Sequence, residues 1–146
     1  MRGFSLLTAA ALVLHARPLQ SQIRHEWGGQ VTGTTGRPAF VGAGPLWAWR
    51  PGTRDRMMLH GALGAAEHQA ALRVEAAWHF MLNPRTEKGV GAYLGGGVAG
   101  QFAGTNHGWL LLMAGLEQNP GARRGWTVEL GVGGGVRFTV GYRWRK

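Results

Sequence analysis

Val136-Arg137-Phe138-Thr139-Val140-Gly141-Tyr142-Arg143-Trp144-Arg145 alternates large apolar residues with arginine, threonine and glycine. A strand sends successive side chains to opposite faces. Val136, Phe138, Val140, Tyr142 and Trp144 therefore share one face, and Arg137, Thr139, Gly141, Arg143 and Arg145 the other. The first face suits hydrocarbon and the second a polar interior.

Working outward from this stretch, the same pattern recurs between Gly, Pro and Asn breakers. Eight alternating segments emerge, at about 23–32, 38–49, 56–66, 70–82, 89–102, 108–117, 125–132 and 136–145. In the first, Ile23, Trp27 and Val31 oppose Arg24, Glu26, Gly28, Gln30 and Thr32. In the fourth, Leu72, Val74, Ala76, Trp78 and Phe80 oppose Arg73, Glu75, Ala77 and His79, and in the seventh Trp126, Val128, Leu130 and Val132 oppose Thr127, Glu129 and Gly131. The sixth, around Trp109-Leu110-Leu111-Leu112-Met113-Ala114, is apolar on both faces, so alternation does not orient it. Eight strands of this kind make an all-β, antiparallel, up-and-down transmembrane barrel.

Residues 1–21 read as a signal peptide. Arg2 is the positive n-region, Phe4 to Leu14 is an apolar run too short to span a bilayer as a helix, and Ser21 is a small residue suited to the position before cleavage. The expected organisation is a cleaved signal over 1–21 and one barrel domain over 22–146.

Composition excludes several functions. The chain has no cysteine, which removes disulfides, thiolate catalysis and Cys-based zinc sites. Ser5 and Ser21 are its only serines and both lie in the expected signal, so the mature chain lacks the nucleophile of a Ser-His-Asp hydrolase. Glycine contributes 26 of 146 residues, largely inside the alternating stretches, where it lets a tightly curved sheet bend and leaves room in a narrow lumen. The formal charge is +9, and loss of Arg2 and Arg17 with the signal leaves +7. Such a chain is attracted to anionic headgroups or lipopolysaccharide phosphates. Nucleic acid is not an expected partner, because the basic residues gather around turns rather than on one aromatic-interleaved face.

On the eight-segment pattern and the ending Val140-Gly141-Tyr142-Arg143-Trp144, the chain resembles the small eight-stranded outer-membrane barrels, the class of the outer membrane protein A transmembrane domain. The resemblance covers Gln22 to Lys146 and implies residence in the outer membrane of a diderm bacterium, assembly by the barrel-assembly machinery, and both termini in the periplasm. It departs from that class in that Arg145 and Lys146 follow the final aromatic, Trp144. The orientation puts 50–55, 83–88 and 119–124 at periplasmic turns and 33–37, 67–69, 103–107 and 133–135 at short outer connections.

An eight-stranded lumen is just wide enough for side chains to fill, so the inward charges are expected to pair. The expected lumen network is Arg24, Glu26, Arg73, Glu75, Glu129, Arg137 and Arg143. A three-residue loop at Gly133 to Gly135 sets Val132 opposite Val136 and Glu129 diagonal to Arg137. Glu26 and Arg143 are expected to meet where the first and last strands close the barrel. A two-residue turn at His68 and Gln69 places His60 opposite Ala77, diagonal to Glu75 and His79. Two histidines and a carboxylate are donor types for a divalent cation. No metal-binding spacing accompanies them, so His60, Glu75 and His79 are expected to join the hydrogen-bonded network, with no metal or cofactor.

The expected function is a non-enzymatic structural or interaction barrel. Two alternatives stand beside it: a soluble exported barrel, periplasmic or secreted, that binds a small apolar ligand with its apolar face inward, and a lipid-modifying enzyme, disfavoured by the missing serine and cysteine.

Overall fold

The computed structural model describes residues 24–146. They form β1 (Arg24–Thr34), β2 (Phe40–Arg50), β3 (Asp55–Ala66), β4 (Gln69–Met81), β5 (Val90–Ala103), β6 (Thr105–Gln118), β7 (Arg124–Val132) and β8 (Val136–Arg145). Each strand pairs antiparallel with its sequence neighbour, and β8 pairs with β1 to close a barrel. The expected signal, its cut after Ser21, and Ile23 lie outside the described residues.

The closed ladder satisfies every strand on both sides, so the alternation in each strand decides only which face looks inward. Even-numbered residues point inward on β1 to β3 and odd-numbered ones on β4 to β8. β6, left unoriented by its apolar sequence, turns Leu111, Met113 and Glu117 inward and Leu110, Leu112 and Leu116 outward.

One end of the barrel, here the terminal end, carries the first and last described residues and the connections 51–54, 82–89 and 119–123. The other, the loop end, carries 35–39, 67–68, Gly104 and 133–135. β6 begins at Thr105, earlier than the alternation indicated, because Gly104 at φ +63° makes a tight reversal possible with a single intervening residue.

The turn between β3 and β4 also differs from expectation. Its two residues are Glu67 and His68, both at positive φ (46° and 70°), the geometry of a type I′ hairpin turn. Ala66 therefore faces Gln69, and His60 faces Glu75 rather than Ala77. Neither Gly nor Asn marks this turn, so residue type gave no guide to its position. The two-residue slip leaves every side chain on its expected face.

Glycine lets the strands approach in the narrow interior at one instructive place. A side chain at Gly115 would collide with the ring of Tyr93, which lies across it from the neighbouring strand (Tyr93 faces Gly115 in the ladder). Tyr93 is fully buried and closes the gap that the glycine leaves.

Candidate functional site

The interior is filled by charged side chains drawn from seven of the eight strands. At its centre, Arg137 on β8 grips Glu75 on β4 in bidentate fashion, Nη2 to Oε2 at 2.7 Å and Nε to Oε1 at 3.1 Å. Its remaining nitrogen, Nη1, donates to Glu129 Oε2 on β7 at 2.8 Å. Arg73 donates to Glu75 Oε1 at 2.7 Å, to Gln101 Oε1 at 3.3 Å and to the Gly133 carbonyl at 3.0 Å, which ties the network to the loop end. The Arg73 guanidinium also lies 5.4 Å from the centre of the Trp109 ring. His60 Nδ1 sits 3.7 Å from Glu75 Oε2 and 3.4 Å from Gln30 Nε2.

A second cluster occupies the terminal end. Glu26 Oε1 takes Arg50 Nε at 2.6 Å and Arg145 Nε at 2.9 Å, while Arg56 and Arg143 approach its other oxygen at 3.7 and 3.6 Å. Glu117 Oε2 takes Arg56 Nη1 at 2.7 Å and lies 3.4 Å from Arg143 Nη2, and its Oε1 is ion-paired with Arg145. Arg145 further donates to the carbonyls of Asn119 and Ala122, pinning the turn between β6 and β7. Four guanidiniums thus surround two carboxylates, an excess of positive charge that the balanced central cluster does not share.

His79 and Tyr93 join the two clusters. Arg56 Nε donates to His79 Nδ1 at 3.2 Å, the His79 and Tyr93 rings stack at 4.8 Å, and Tyr93 Oη donates to Glu129 Oε1 at 2.7 Å. Arg56 also lies over the Tyr93 ring at 4.7 Å. A continuous chain of contacts, Glu117 to Arg56 to His79 to Tyr93 to Glu129 to Arg137 to Glu75 to Arg73, therefore runs the length of the interior. Buried charges of this kind persist only when each has its partners.

Of the residues expected in the lumen network, Glu26, Arg73, Glu75, Glu129, Arg137 and Arg143 are buried inside the barrel. Arg24 is corrected. It has the inward parity of Glu26, but as the first residue of β1 it stands exposed at the rim, where water solvates it, and four other guanidiniums already occupy the interior below. His60, Glu75 and His79 do not converge: His79 is turned to Arg56, and among the described residues no group of three His, Cys, Asp or Glu side chains is arranged to hold a metal ion.

Sequence reading missed Arg50, Arg56, Glu117 and Tyr93 as members of the network, and Arg145, although placed on the polar face of the last strand, was not counted among them. Glu117 was the available signal, since a carboxylate at the end of an otherwise apolar strand is best placed inward opposite arginines. The interior is also less uniformly polar than expected, because Leu46, Met58, Leu111 and Met113 form an apolar cluster against one part of its wall. Phe40, Ala62, Ala66 and Ala71 form another.

The outer surface carries the opposite chemistry. Leu110 is 79% exposed and Leu63 73%, and Val31, Val98, Leu112, Leu130 and Phe138 all lie open on the same outward face. Trp27, Trp47, Trp78, Trp126 and Trp144 are exposed among them.

No family model matches the chain, and no curated protein matches it. Solved structures do. The N-terminal β-barrel domain of Pseudomonas aeruginosa OprF superimposes with a TM-score of 0.66 at 12% identity, over 86% of this chain and all of that domain. Neisserial surface protein A gives 0.58 at 10% identity, over 84% of this chain and 96% of the other. The de novo designed protein TMB2.3 gives 0.53 at 14% identity, over 87% and 98%. The chain has the fold of the small eight-stranded outer-membrane barrels.

Proposed function

We propose that the protein is exported and resides in the outer membrane as a closed, non-enzymatic barrel with a structural or interaction role. The observation that carries this reading is the outward apolar face: a band of Leu, Val and Phe with tryptophans toward one edge surrounds an interior packed with ion pairs. In water this arrangement would be inside out, because apolar surface would be hydrated while six arginines and four glutamates were buried. In a bilayer the outer band meets hydrocarbon and the ladder leaves no open edge. A soluble barrel binding an apolar ligand needs its apolar face inward, the reverse of what these residues adopt.

The continuous chain of ion pairs, hydrogen bonds and stacked rings from Glu117 to Arg73 favours a plugged lumen over a conducting one. The short connections at the loop end, the longest running from Thr35 to Ala39, offer little surface for an adhesin. The absence of enzymatic activity is supported by the missing serine and cysteine in 22–146 and by the engagement of each of the four interior carboxylates with guanidinium groups, which leaves them poor bases. Membrane lipid, lipopolysaccharide and, during biogenesis, the barrel-assembly machinery are the proposed partners.

Fractionation tests the reading. The protein is expected in the outer-membrane fraction, retained there after a carbonate wash. Recovery of folded protein in the soluble fraction would overturn it.

A further inference from the structure

Charge outside the interior is divided unevenly between the two ends. The terminal end exposes Arg24 and Lys146 beside the chain ends, Arg54, Arg85 and Lys88 on two turns, and Arg123 and Arg124 on the third. Its acids are Asp55, to which Trp78 Nε1 donates at 3.1 Å, and Glu87. The loop end has one exposed arginine, Arg37, and one exposed acid, Glu67. One rim is strongly cationic and the other nearly neutral.

The outward aromatics follow the same division. Trp27 faces Trp47 on one side and Trp144 on the other, and Trp126 faces Tyr142, which places these rings in a belt just inside the cationic rim. Trp78 and Phe80 continue it on β4. The loop end contributes Phe102 and Phe138. Cations lean onto the belt: Lys146 Nζ is 5.8 Å from the centre of the Trp27 ring, and Arg54 Cζ is 5.8 Å from that of Phe80. Solubility alone would not require such one-sidedness. An aromatic layer topped by cations matches the boundary between hydrocarbon and phosphate headgroups. Between the β2–β3 and β4–β5 turns lies an open recess of about 820 Å³ bordered by Arg54, Asp55, Asn83, Arg85 and Thr86, large enough for a headgroup.

We propose that the terminal-end rim binds the phosphates of anionic glycerophospholipids in the leaflet it faces, with Arg54 and Arg85 on either side of a headgroup in the recess, and that the loop end has no equivalent site. The inference rests on the membrane reading above. Guanidinium is suited to phosphate because its planar fork matches two phosphate oxygens. The interior arginines are already committed to carboxylates, so the rim supplies the available cations.

Tryptophan quenching by brominated lipids tests it. The folded protein is reconstituted in bilayers of brominated phosphatidylcholine, with brominated phosphatidylglycerol titrated in, and the relative association constant of the two lipids is read from the quenching. A cation at a lipid surface favours an anionic headgroup by roughly fivefold, so a preference of that order is expected, weakening in high salt. The triple variant Arg54→Gln, Arg85→Gln, Lys88→Gln should bring the ratio close to one, whereas Arg37→Gln at the loop end should leave it unchanged. All four positions are exposed, and circular dichroism checks that each variant folds. A ratio of one for the native protein, an unchanged ratio in the triple variant, or an equal loss in Arg37→Gln would overturn the proposal. So would displacement of lipid by inorganic phosphate at an ionic strength where chloride has no effect, which would show a site for the free anion. Absence of quenching by either lipid would instead remove the membrane reading itself.

Discussion

Arg137 Nη1 donates to Glu129 Oε2 at 2.8 Å across the β7–β8 ladder, from a position diagonal to it: Glu129 faces Thr139, and Arg137 faces Gly131. Val132 facing Val136 across the Gly133 to Gly135 loop sets this register. The same guanidinium holds Glu75 from the far side of the barrel, so Arg137 ties β8 both to its neighbour and to β4.

Arg137→Met should therefore leave two buried carboxylates short of a partner and destabilise the folded barrel by about 3–5 kcal/mol, less where water reaches them. Denaturant titration in lipid vesicles measures this. In a double-mutant cycle with Glu129→Gln, a coupling of about 0.5–3 kcal/mol is expected for residues in contact. A coupling of zero would remove the pair as an energetic unit.

The eight strands and their faces were legible because period-two alternation survives wherever lipid and a polar interior lie on opposite sides of one sheet. It failed at β6, where Leu110, Leu111 and Leu112 include one residue packed inside against Met113 and two facing outward. An apolar cluster on the inner wall erased the contrast. The hairpin register at Glu67 and His68 was invisible for another reason, since its positive φ values fall on residues that carry no turn signature. Arg50 was overlooked because the sequence assigns it to the 50–55 turn, and Glu117 because it closes a segment that alternation does not orient, although the barrel's curvature brings them over Glu26 and Arg56.

Tyr93 and Gly115 form a complementary pair, ring over missing side chain. Gly115→Ala should cost about 1–3 kcal/mol by overpacking against the ring. In a Tyr93→Ala background, where the ring is gone, the same substitution should be nearly neutral. Equal costs in both backgrounds would show that the glycine is needed for backbone geometry instead. Tyr93→Phe keeps the packing but deprives Glu129 of a donor at 2.7 Å, for which a loss of about 1–3 kcal/mol is expected.

Export with removal of residues 1–21 rests on Arg2, the Phe4 to Leu14 run and Ser21. Mass spectrometry of protein isolated from membranes should give the mass of the chain beginning at Gln22. A cut one or two residues away would correct the boundary, whereas retention of Met1 to Leu14 would remove the signal.

Purified, folded protein should release no acyl chains from lipid A and cleave no peptide, since residues 22–146 offer neither serine nor cysteine. Sustained turnover of lipid A, abolished by one point substitution, would establish an activity that these residues do not suggest.

The neighbours Thr139 and Val140 separate the two faces of β8 most directly. Val140 points outward and pairs laterally with Val31 and Val128, both well exposed, in the middle of the apolar band. Thr139 is 1% exposed, and its hydroxyl lies 3.2 Å from that of Thr32 across the seam that closes the barrel. Val140→Arg should then destabilise the bilayer-folded protein by about 2–4 kcal/mol, because the guanidinium enters hydrocarbon near the midplane. From alternation alone, Thr139→Arg would be the milder change, accommodated in a polar lumen. The packing reverses that expectation, since a buried site beside Thr32 has no room for a guanidinium and the carboxylate that faces it, Glu129, is already held by Arg137 and Tyr93. Thr139→Arg should be at least as damaging as Val140→Arg, and Thr139→Val, which loses one hydrogen bond at nearly constant volume, should cost about 1 kcal/mol. Unfolding in lipid vesicles measures all three. An unharmed Val140→Arg would show that Val140 does not meet hydrocarbon and would overturn the outward assignment of the apolar face.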